Sequence, residues 1–310
     1  MRIYVDCDPG IDDALALAYL TASPEVELVG VGSVFGNNYV PATTANALRL
    51  LELYGRPQVP VARGAGRALA QPARAAKNVH GENGLGEVEL PEPAAAPVEY
   101  SAAEMLVRSA RSAPGEIDVL ALGPLTNLAL ALSIEPRLPE LLGRVVIMGG
   151  AVRRPGNITP WAEANVAADP EAAEAVLGAG FDTTLVALDV TMRTVATGAW
   201  LEGLDRIEGR RAQTTAAFLG FYTDWYSRVF GIRQCAMHDP LAAAVLLDPD
   251  LVAEADEVPV RVELQGAHTR GQTIADLRPN RASDDERPAV TLVGDVDGEA
   301  FFKRMTDALR

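Results

Sequence analysis

The chain has few residues of the kinds that mark disulfide-bonded, zinc-binding or nucleic-acid-binding proteins. Only two cysteines occur among its 310 residues, Cys7 and Cys235, and they do not form a C-x-x-C pair. Neither a disulfide framework nor a zinc site is therefore expected, and we interpret both as small buried side chains. Basic residues number 27 against 42 acidic ones, a formal net charge of −15. This charge argues against nucleic acid or an anionic membrane as a partner.

Long hydrophobic runs are also absent from the sequence. No apolar stretch reaches the roughly 18 residues that a membrane-spanning helix needs. The pattern of a strand already begins at residue 3, without the basic and apolar regions of a signal peptide. We therefore expect a cytoplasmic protein. Because 48% of the residues are hydrophobic and neither an internal repeat nor an interdomain linker is visible, we predict one domain over residues 1–310.

Strand and helix patterns alternate through most of the chain. Apolar, β-branched runs predict strands over residues 3–5, 26–34, 59–62, 117–122, 144–148 and 184–190. Periodicity and capping residues predict helices over residues 14–20, 42–54, 101–112, 170–178, 198–230 and 238–247, with two more after residues 127 and 298. Residues 63–100 and 151–168 are predicted to be irregular, and residues 258–293 to be strands around a polar, turn-rich stretch.

This alternation predicts an α/β fold with an open, mostly parallel (mixed) central sheet and helices on both faces. Ligands bind outside the carboxyl ends of the strands in such sheets. The polar segments that follow predicted strands are therefore candidates for one site, and they cover residues 6–13, 35–38, 123–127, 149–165 and 238–239.

Four carboxylates follow the first predicted strand within eight residues: Asp6, Asp8, Asp12 and Asp13. Like charges this close cannot all stay ionised without a counter-charge. The start of the next helix offers part of it, since Asp12 is expected to cap that helix and Asp13 to lie in its first turn, each worth roughly 0.3–1 kcal/mol. A hard metal ion would supply the rest. The spacing fits neither an EF-hand nor the D-x-D-G-T pattern of haloacid-dehalogenase-type phosphatases.

The segment DCDPGIDDALAL resembles the N-terminal signature of the nucleoside hydrolases. The segment GNITPWAEAN, followed by DPEAA, is similar to the central signature of that family. Four further segments match in family order, and they cover residues 35–37, 79–81, 123–128 and 238–241. The resemblance extends from residue 3 to about residue 245 and implies the nucleoside hydrolase fold.

The resemblance also implies a calcium ion and a ribose site. The implied calcium ligands are Asp8, Asp13, the main-chain carbonyl of Thr126, and Asp239, all oxygen donors that suit Ca²⁺. The positions that match ribose-binding residues are Asp12, Asn157, Glu163 and Asn165, with Asn37 and Met148 expected beside them. Further candidates for substrate contacts are His80, Tyr222 and Tyr226. The alternatives are an exposed loop histidine for His80, core packing for the aromatic cluster of Tyr222, Trp225 and Tyr226, and local backbone contacts for the two asparagines.

The sequence departs from the family pattern at two positions of the central signature. Ala164 replaces the usual aromatic residue between Glu163 and Asn165, and we interpret Trp161 as refilling that volume. These changes leave the preferred base open.

The implied activity is hydrolysis of the N-glycosidic bond of ribonucleosides to ribose and free base, in nucleoside salvage or catabolism. Asp8 would be the general base for a metal-bound water, and His238 the acid that protonates the leaving base. The alternative for His238 is a residue at the start of a helix, merely packed beside Asp239. The implied partners are a small nucleoside substrate and further copies of the chain in a homodimer or homotetramer.

Two other functions are considered. A phosphatase would need basic residues that bind phosphate, but the chain has only two lysines, Lys77 and Lys303, and neither lies near a predicted strand end. The other is a catalytically weak nucleoside- or ribose-binding protein, or a hydrolase of a modified nucleoside. The presence of Asp8 favours turnover.

Overall fold

The computed structural model describes residues 1–278 and 286–310. The strands in these residues are β1 (Arg2–Cys7), β2 (Glu27–Ser33), β3 (Val61–Arg63), β4 (Ile117–Ala121), β5 (Arg144–Met148), β6 (Asp182–Val186), β7 (Val195–Ala196), β8 (Cys235–Ala236), β9 (Val252–Val258), β10 (Val260–Val262), β11 (Thr273–Ala275) and β12 (Val290–Val296). The helices are α1 (Ile11–Ala22), α2 (Val40–Leu53), α3 (Lys77–His80), α4 (Ala102–Ser112), α5 (Thr126–Ile134), α6 (Leu138–Leu141), α7 (Ala164–Ala168), α8 (Pro170–Leu177), α9 (Leu188–Thr191), α10 (Gly198–Leu204), α11 (Arg210–Phe230), α12 (His238–Leu247) and α13 (Gly298–Ala308), with a 3₁₀ turn at Pro249–Leu251.

Eight of the strands form a central sheet in the order β3-β2-β1-β4-β5-β6-β12-β9. Every neighbouring pair in it is parallel except β12 and β9, which are antiparallel. Parallel neighbours need crossover connections, and helices supply most of them here. The predicted open, mostly parallel mixed sheet of an α/β fold is confirmed.

The side chains of β1 alternate between two hydrophobic cores, as the pleat of a strand requires. Ile3 and Val5 pack in the core that contains the side chains of α1 and α12. Tyr4 points to the opposite core, which contains the side chains of α4 and α5, and its hydroxyl donates to the carbonyl of Ala102 at 2.9 Å. Helices therefore cover both faces of the sheet, as predicted.

Helices α1 and α12 pack against each other although they come from opposite ends of the chain. Almost every residue of both helices is buried, and both are rich in alanine. Small side chains let two helices approach closely, so this pair forms a dense layer on one face of the sheet. Both helices begin with acidic residues in their first turns.

The predicted strand over residues 184–190 is wrong at its end. Strand β6 stops at Val186, and the chain turns into the short helix α9. The reason is tertiary: the carboxylate of Asp189 accepts hydrogen bonds from the backbone N–H groups of Val152 and Arg153, at 2.9 and 2.6 Å. These contacts override the β-propensity of the apolar run.

Other segments also differ from the prediction. The helical stretch over residues 198–230 is broken into α10 and α11, where Gly209 adopts a φ of 114°. The irregular segments over residues 63–100 and 151–168 contain the short helices α3 and α7. Part of the polar stretch predicted within residues 258–293, residues 279–285, lies outside the described residues.

Other local predictions are confirmed. Ser101 forms a capping box with Glu104, and Asp169 caps α8 by accepting from the N–H of Ala172. Both cysteines are free and buried. In the described parts of the chain, no helix is long and apolar enough to cross a membrane.

Candidate active site

The carboxylate cluster that follows β1 lies at the carboxyl end of the sheet, next to the loop that follows β2. Asp8 Oδ2 accepts from the N–H of Asn37 at 2.6 Å, and Asp13 Oδ2 accepts from the side-chain amide of Asn37 at 3.0 Å. Since β2 is the parallel neighbour of β1, the two loops leave the sheet side by side. The structure therefore brings together Asp8, Asp13 and Asn37, which were all predicted site residues.

Asp13, rather than Asp12, accepts hydrogen bonds from backbone N–H groups at the start of α1. The N-cap residue is Gly10, and the Asp13 carboxylate accepts from the N–H groups of Gly10 and Asp8 at 2.9 and 3.1 Å. The expectation that Asp12 caps this helix is wrong, because glycine has no side chain to cap with and the third helical residue reaches back instead. Asp12 Oδ1 lies 3.9 Å from His80 Nδ1 and has no hydrogen-bond partner among the described residues.

Asp239, in the first turn of α12, joins the cluster from the far end of the sequence. Carboxylate oxygens of Asp12, Asp13 and Asp239 lie within 4.8 Å of one another, and all three residues are buried. Asp8 stands beside this trio. Among the described residues, Asp8 Oδ1 and Asp12 Oδ1 are buried without a hydrogen-bond partner. Oxygens in that situation await a cation or a donor.

Burial raises the pKa of every carboxyl group in this cluster. The pKa of Asp12 rises from an ordinary 3.8 to about 6 because of burial, and that of Asp13 to about 7 because of burial and the Asp12 charge. The pKa values of Asp8 and Asp239 also lie well above their usual range, again through burial first and neighbouring carboxylates second. The protein therefore holds a concentration of negative charge that a cation would relieve.

Two glycines allow the backbone to close around Asp8. A Cβ at Gly36 would lie 2.0 Å from Asp8 Oδ2, and a Cβ at Gly123 would lie 2.8 Å from Asp8 Oδ1. Neither position could carry a larger residue without moving the Asp8 carboxylate. Sequence reasoning included both glycines in matching segments but did not identify this role.

Thr126 is the first residue of α5, directly after the loop that follows β4, and it is buried. Its hydroxyl donates to Asp169 at 2.7 Å, which fixes the first turn of the helix. The next residue, Asn127, donates to Asp6 and to the carbonyl of Ser33 at 2.9 and 3.0 Å. These bonds fasten the first turn of α5 to the ends of β1 and β2, and they place Thr126 at the predicted edge of the sheet.

The central signature forms a second group of predicted site residues. Glu163 caps α7, where it accepts from the N–H groups of Asn165, Val166 and Gly150 at 2.9–3.1 Å. The side-chain amide of Asn165 donates to the carbonyls of Leu122 and Met148 at 2.8 and 3.2 Å. Glu163 and Asn165 thus tie together the loops that follow β4 and β5, with Met148 buried beside them.

The remaining residues of this segment lie farther out. Asn157 is exposed, and its side-chain carbonyl accepts from the N–H of Ala164 at 3.0 Å, which is the local contact considered as its alternative. Trp161 keeps 46% of its surface exposed. The interpretation that Trp161 refills the volume lost at Ala164 stays a prediction.

His80 and His238 lie on either side of two tyrosines of α11. His80 is buried, which rules out an exposed loop histidine; its Nδ1 accepts from the N–H of Ile11 at 3.1 Å, and its ring stacks on Tyr222 with centroids 5.5 Å apart. The rings of Tyr222 and Tyr226 meet edge-on at 5.1 Å. His238 Nε2 lies 3.3 Å from the hydroxyl of Tyr226. The aromatic cluster packs in the core and also reaches both histidines.

Burial lowers the pKa of both imidazoles to about 4, so both rings are neutral at pH 7. The second nitrogen of His238, Nδ1, lies 2.8 Å from the hydroxyl of Thr191 at the end of α9. Sequence reasoning missed Thr191, because no motif surrounds it and its segment was predicted to be a strand.

The chain is similar over its length to proteins of known class. Residues 3–303 match the family model described as inosine-uridine preferring nucleoside hydrolase. The probable uridine nucleosidase 2 of Arabidopsis thaliana is 38% identical over 314 residues, a match that covers 99% of this chain and 97% of that protein. The pyrimidine-specific ribonucleoside hydrolase RihA of Enterobacter sp. (strain 638) is 39% identical over 310 residues, covering 100% of this chain and 97% of that one. Among solved structures, the plant nucleoside hydrolase PpNRh1 superposes with a TM-score of 0.94 at 33% identity, over 99% of this chain and 98% of its own.

Proposed function

The chain belongs to the inosine-uridine preferring nucleoside hydrolase family and is a nucleoside hydrolase, and from this premise we propose that it is a calcium-dependent ribonucleoside N-glycosidase of nucleoside catabolism. Its reaction adds water across the N-glycosidic bond and releases ribose and free base through a transition state with oxocarbenium character. The observation that carries the proposal is the pair of buried, unpartnered oxygens of Asp8 and Asp12 beside Asp13 and Asp239.

The donor set fits calcium. Asp8, Asp13, the main-chain carbonyl of Thr126, and Asp239 would hold the ion, and the closeness of Asp12 to Asp13 and Asp239 adds a further carboxylate beside it. All are oxygen donors, the kind that Ca²⁺ prefers, and the raised pKa values of the carboxyl groups mark uncompensated negative charge. When bound, the ion would lower the pKa of water and attract the hydroxyl oxygens of ribose.

Asp8 is the proposed general base. The N–H of Asn37 fixes its Oδ2, while its Oδ1 is unpartnered and can take a proton from the attacking water. Burial raises the pKa of Asp8 in the metal-free protein, and a bound cation would favour the ionised carboxylate that the role of base requires.

Ribose is proposed to bind between the carboxylate cluster and the residues of the central signature. The residues proposed to contact it are Asp12, Asn37, Met148, Asn157, Glu163 and Asn165. Asp12 has the most direct support, since its Oδ1 has no partner among the described residues. Glu163 and Asn165 already bind backbone groups that shape the loops, so they would contact the sugar with their remaining hydrogen-bonding capacity.

The departing base is proposed to lie against His80, Tyr222, Tyr226 and His238, with His238 as the acid. A natural base leaves as a poor anion unless a ring nitrogen is protonated. His238 has a pKa of about 4 and is neutral at pH 7, so in this role it would first take a proton from solvent and then pass it to the leaving base. Its Nε2 lies beside the hydroxyl of Tyr226, so this nitrogen points toward the aromatic cluster.

Replacing His238 by alanine should separate an acid from a packing residue. Turnover of inosine or uridine should fall by roughly 10² in kcat, whereas hydrolysis of p-nitrophenyl riboside should change little because its phenolate leaves without protonation. Steady-state kinetics on both substrates checks this. Equal losses on the two would show that His238 only orients Asp239, and the acid would then be sought among Tyr222, Tyr226 and His80.

Calcium should stabilise the protein more strongly at pH 8 than at pH 5. The raised pKa values of about 6 and 7 at Asp12 and Asp13 mean that the folded, metal-free protein binds more protons than the unfolded chain between pH 4 and 7. Its stability therefore falls as pH rises through this window. Calcium compensates the charge that develops, so its binding and its stabilising effect should grow with pH.

The measurement is the melting temperature with excess calcium and with a chelator at both pH values. At a free calcium concentration 100 times Kd we expect roughly 2.7 kcal/mol of stabilisation at pH 8, equivalent to about 4 °C for a chain of this length. Asp239→Asn should reduce the difference, while a surface change such as Asp182→Asn should not. An equal difference at both pH values, or none at all, would contradict the calcium site.

The proposed substrate class is ribonucleosides, with uridine as the first to test because both named relatives act on pyrimidine nucleosides. Incubation with inosine, adenosine, guanosine, uridine, cytidine and a modified nucleoside, followed by measurement of free reducing sugar, tests the activity. Binding of nucleosides without release of sugar from any of them would instead favour a catalytically weak nucleoside-binding protein. A homodimer or homotetramer, a cytoplasmic location and the absence of nucleic-acid and membrane partners stay predictions.

A further inference from the structure

Thr191 contacts the proposed acid directly. It is the last residue of α9, it has no exposed surface, and its hydroxyl oxygen lies 2.8 Å from His238 Nδ1. The other ring nitrogen, Nε2, lies 3.3 Å from the hydroxyl of Tyr226, a longer and weaker contact. Thr191 thus makes the shorter of the two bonds that orient this ring.

Three other buried threonines of this chain donate only locally. The hydroxyls of Thr21, Thr194 and Thr223 donate to the carbonyl four residues earlier, at 2.7, 3.3 and 2.8 Å. This local bond is the ordinary use of a threonine in a helix. The hydrogen bond of the Thr191 hydroxyl is instead made across the fold, to a residue of α12.

We propose that Thr191 is a positioning residue that holds the His238 ring with Nε2 directed at the leaving base. This inference rests on the proposed function, in which His238 protonates that base. A hydroxyl can donate or accept, so the bond to Nδ1 persists whether or not Nδ1 carries hydrogen. A ring turned by 180° about its Cβ–Cγ bond would place carbon atoms against both Thr191 and Tyr226, and both hydrogen bonds would be lost.

The kinetic test compares three variants. Thr191→Val keeps the shape of the side chain but removes the hydroxyl, Thr191→Ser restores the hydroxyl, and Thr194→Val is the control three residues away. Thr191→Val should lower kcat on uridine or inosine about 5–10-fold, the effect of one buried hydrogen bond, and should leave p-nitrophenyl riboside within about 2-fold. Thr191→Ser should recover most of the loss, and Thr194→Val should behave as wild type.

Two kinetic outcomes would overturn the proposal. Equal losses on the natural nucleoside and on p-nitrophenyl riboside in Thr191→Val would show a general structural role. Full activity of Thr191→Val on both substrates would show that the ring needs no such support.

A measurement independent of activity separates this inference from the proposed function. The chain has three histidines, so long-range ¹H–¹⁵N spectra contain only three ring systems, which His80→Gln and His268→Gln variants assign. The ring signals of His238 should shift or broaden in Thr191→Val, return toward wild type in Thr191→Ser, and stay unchanged in Thr194→Val. Unchanged His238 signals in Thr191→Val would refute the inference even in a fully active enzyme. Changed signals together with full activity of His238→Ala would support the contact and refute the acid.

Discussion

Replacing Asp8 by asparagine should lower kcat by about 10²–10⁴-fold, the range expected for loss of a general base, with the fold preserved. Asparagine keeps an acceptor for the N–H of Asn37, so the loop after β2 stays in place. It cannot take a proton from water, and it removes one negative charge from the proposed calcium site. The measurement is single-turnover hydrolysis of uridine or inosine at saturating calcium, so that weaker metal binding does not obscure the loss of the base.

The matched control for this variant is Asp6→Asn. Asp6 lies two residues away at the end of β1, it is equally buried, and burial raises its pKa to about 7. Its Oδ2 accepts from the side-chain amide of Asn127, and its pKa is raised by burial alone, whereas the charges of Asp13 and Asp12 also raise the pKa of Asp8. Asp6→Asn should therefore keep most of the turnover. Near-normal turnover in Asp8→Asn, or an equal collapse in Asp6→Asn, would remove Asp8 from the role of base.

Nucleosides without a 2′-hydroxyl should be poorer substrates by at least ~10³ in kcat/KM. Asp12 Oδ1 is buried and unpartnered in the described residues, so a sugar hydroxyl is the donor that the site awaits. With a deoxyribose, that oxygen would stay buried without a hydrogen-bond donor. Part of the negative charge of the cluster would then stay uncompensated. Rates for uridine and 2′-deoxyuridine under identical conditions provide the measurement.

An Asp12→Ala variant is the control for this discrimination. It should be slow on both substrates, but the ratio between ribose and deoxyribose should fall toward one because the unpaired oxygen is gone. Comparable rates on uridine and 2′-deoxyuridine in the wild type would contradict the assigned sugar site. An unchanged ratio in Asp12→Ala would move the contact to another residue.

Much of the site could be predicted from sequence because short-range rules govern it. Alternating strands and helices predicted a parallel sheet, and parallel strands bring their following loops to one edge, so the segments with Asp8, Asn37 and Thr126 were expected to meet. Residues 238–239 were also among the candidate segments, and the family resemblance implied that Asp239 is an ion ligand. The structure places Asp239 beside Asp12 and Asp13.

The parts that could not be predicted depend on contacts distant in sequence. Strand β6 ends early because Asp189 binds the loop after β5, and an isolated apolar run gives no sign of that. Asp12 was expected to cap α1, but Asp13 reaches the N–H groups, a choice that depends on the backbone path of residues 8–10. Thr191 carries no motif at all, and only its distance from His238 reveals it.

The packing of α1 against α12 has a consequence for how the protein is made. A ribosome releases the aspartates of α1 at the start of synthesis, whereas Asp239 emerges only after about three quarters of the chain. Until α12 docks, the incomplete chain has Asp8, Asp12 and Asp13 without Asp239, and the ion-binding set is incomplete. The proposed calcium site would therefore be completed only near the end of translation, and a chain truncated before α12 should expose the apolar face of α1 as a target for chaperones.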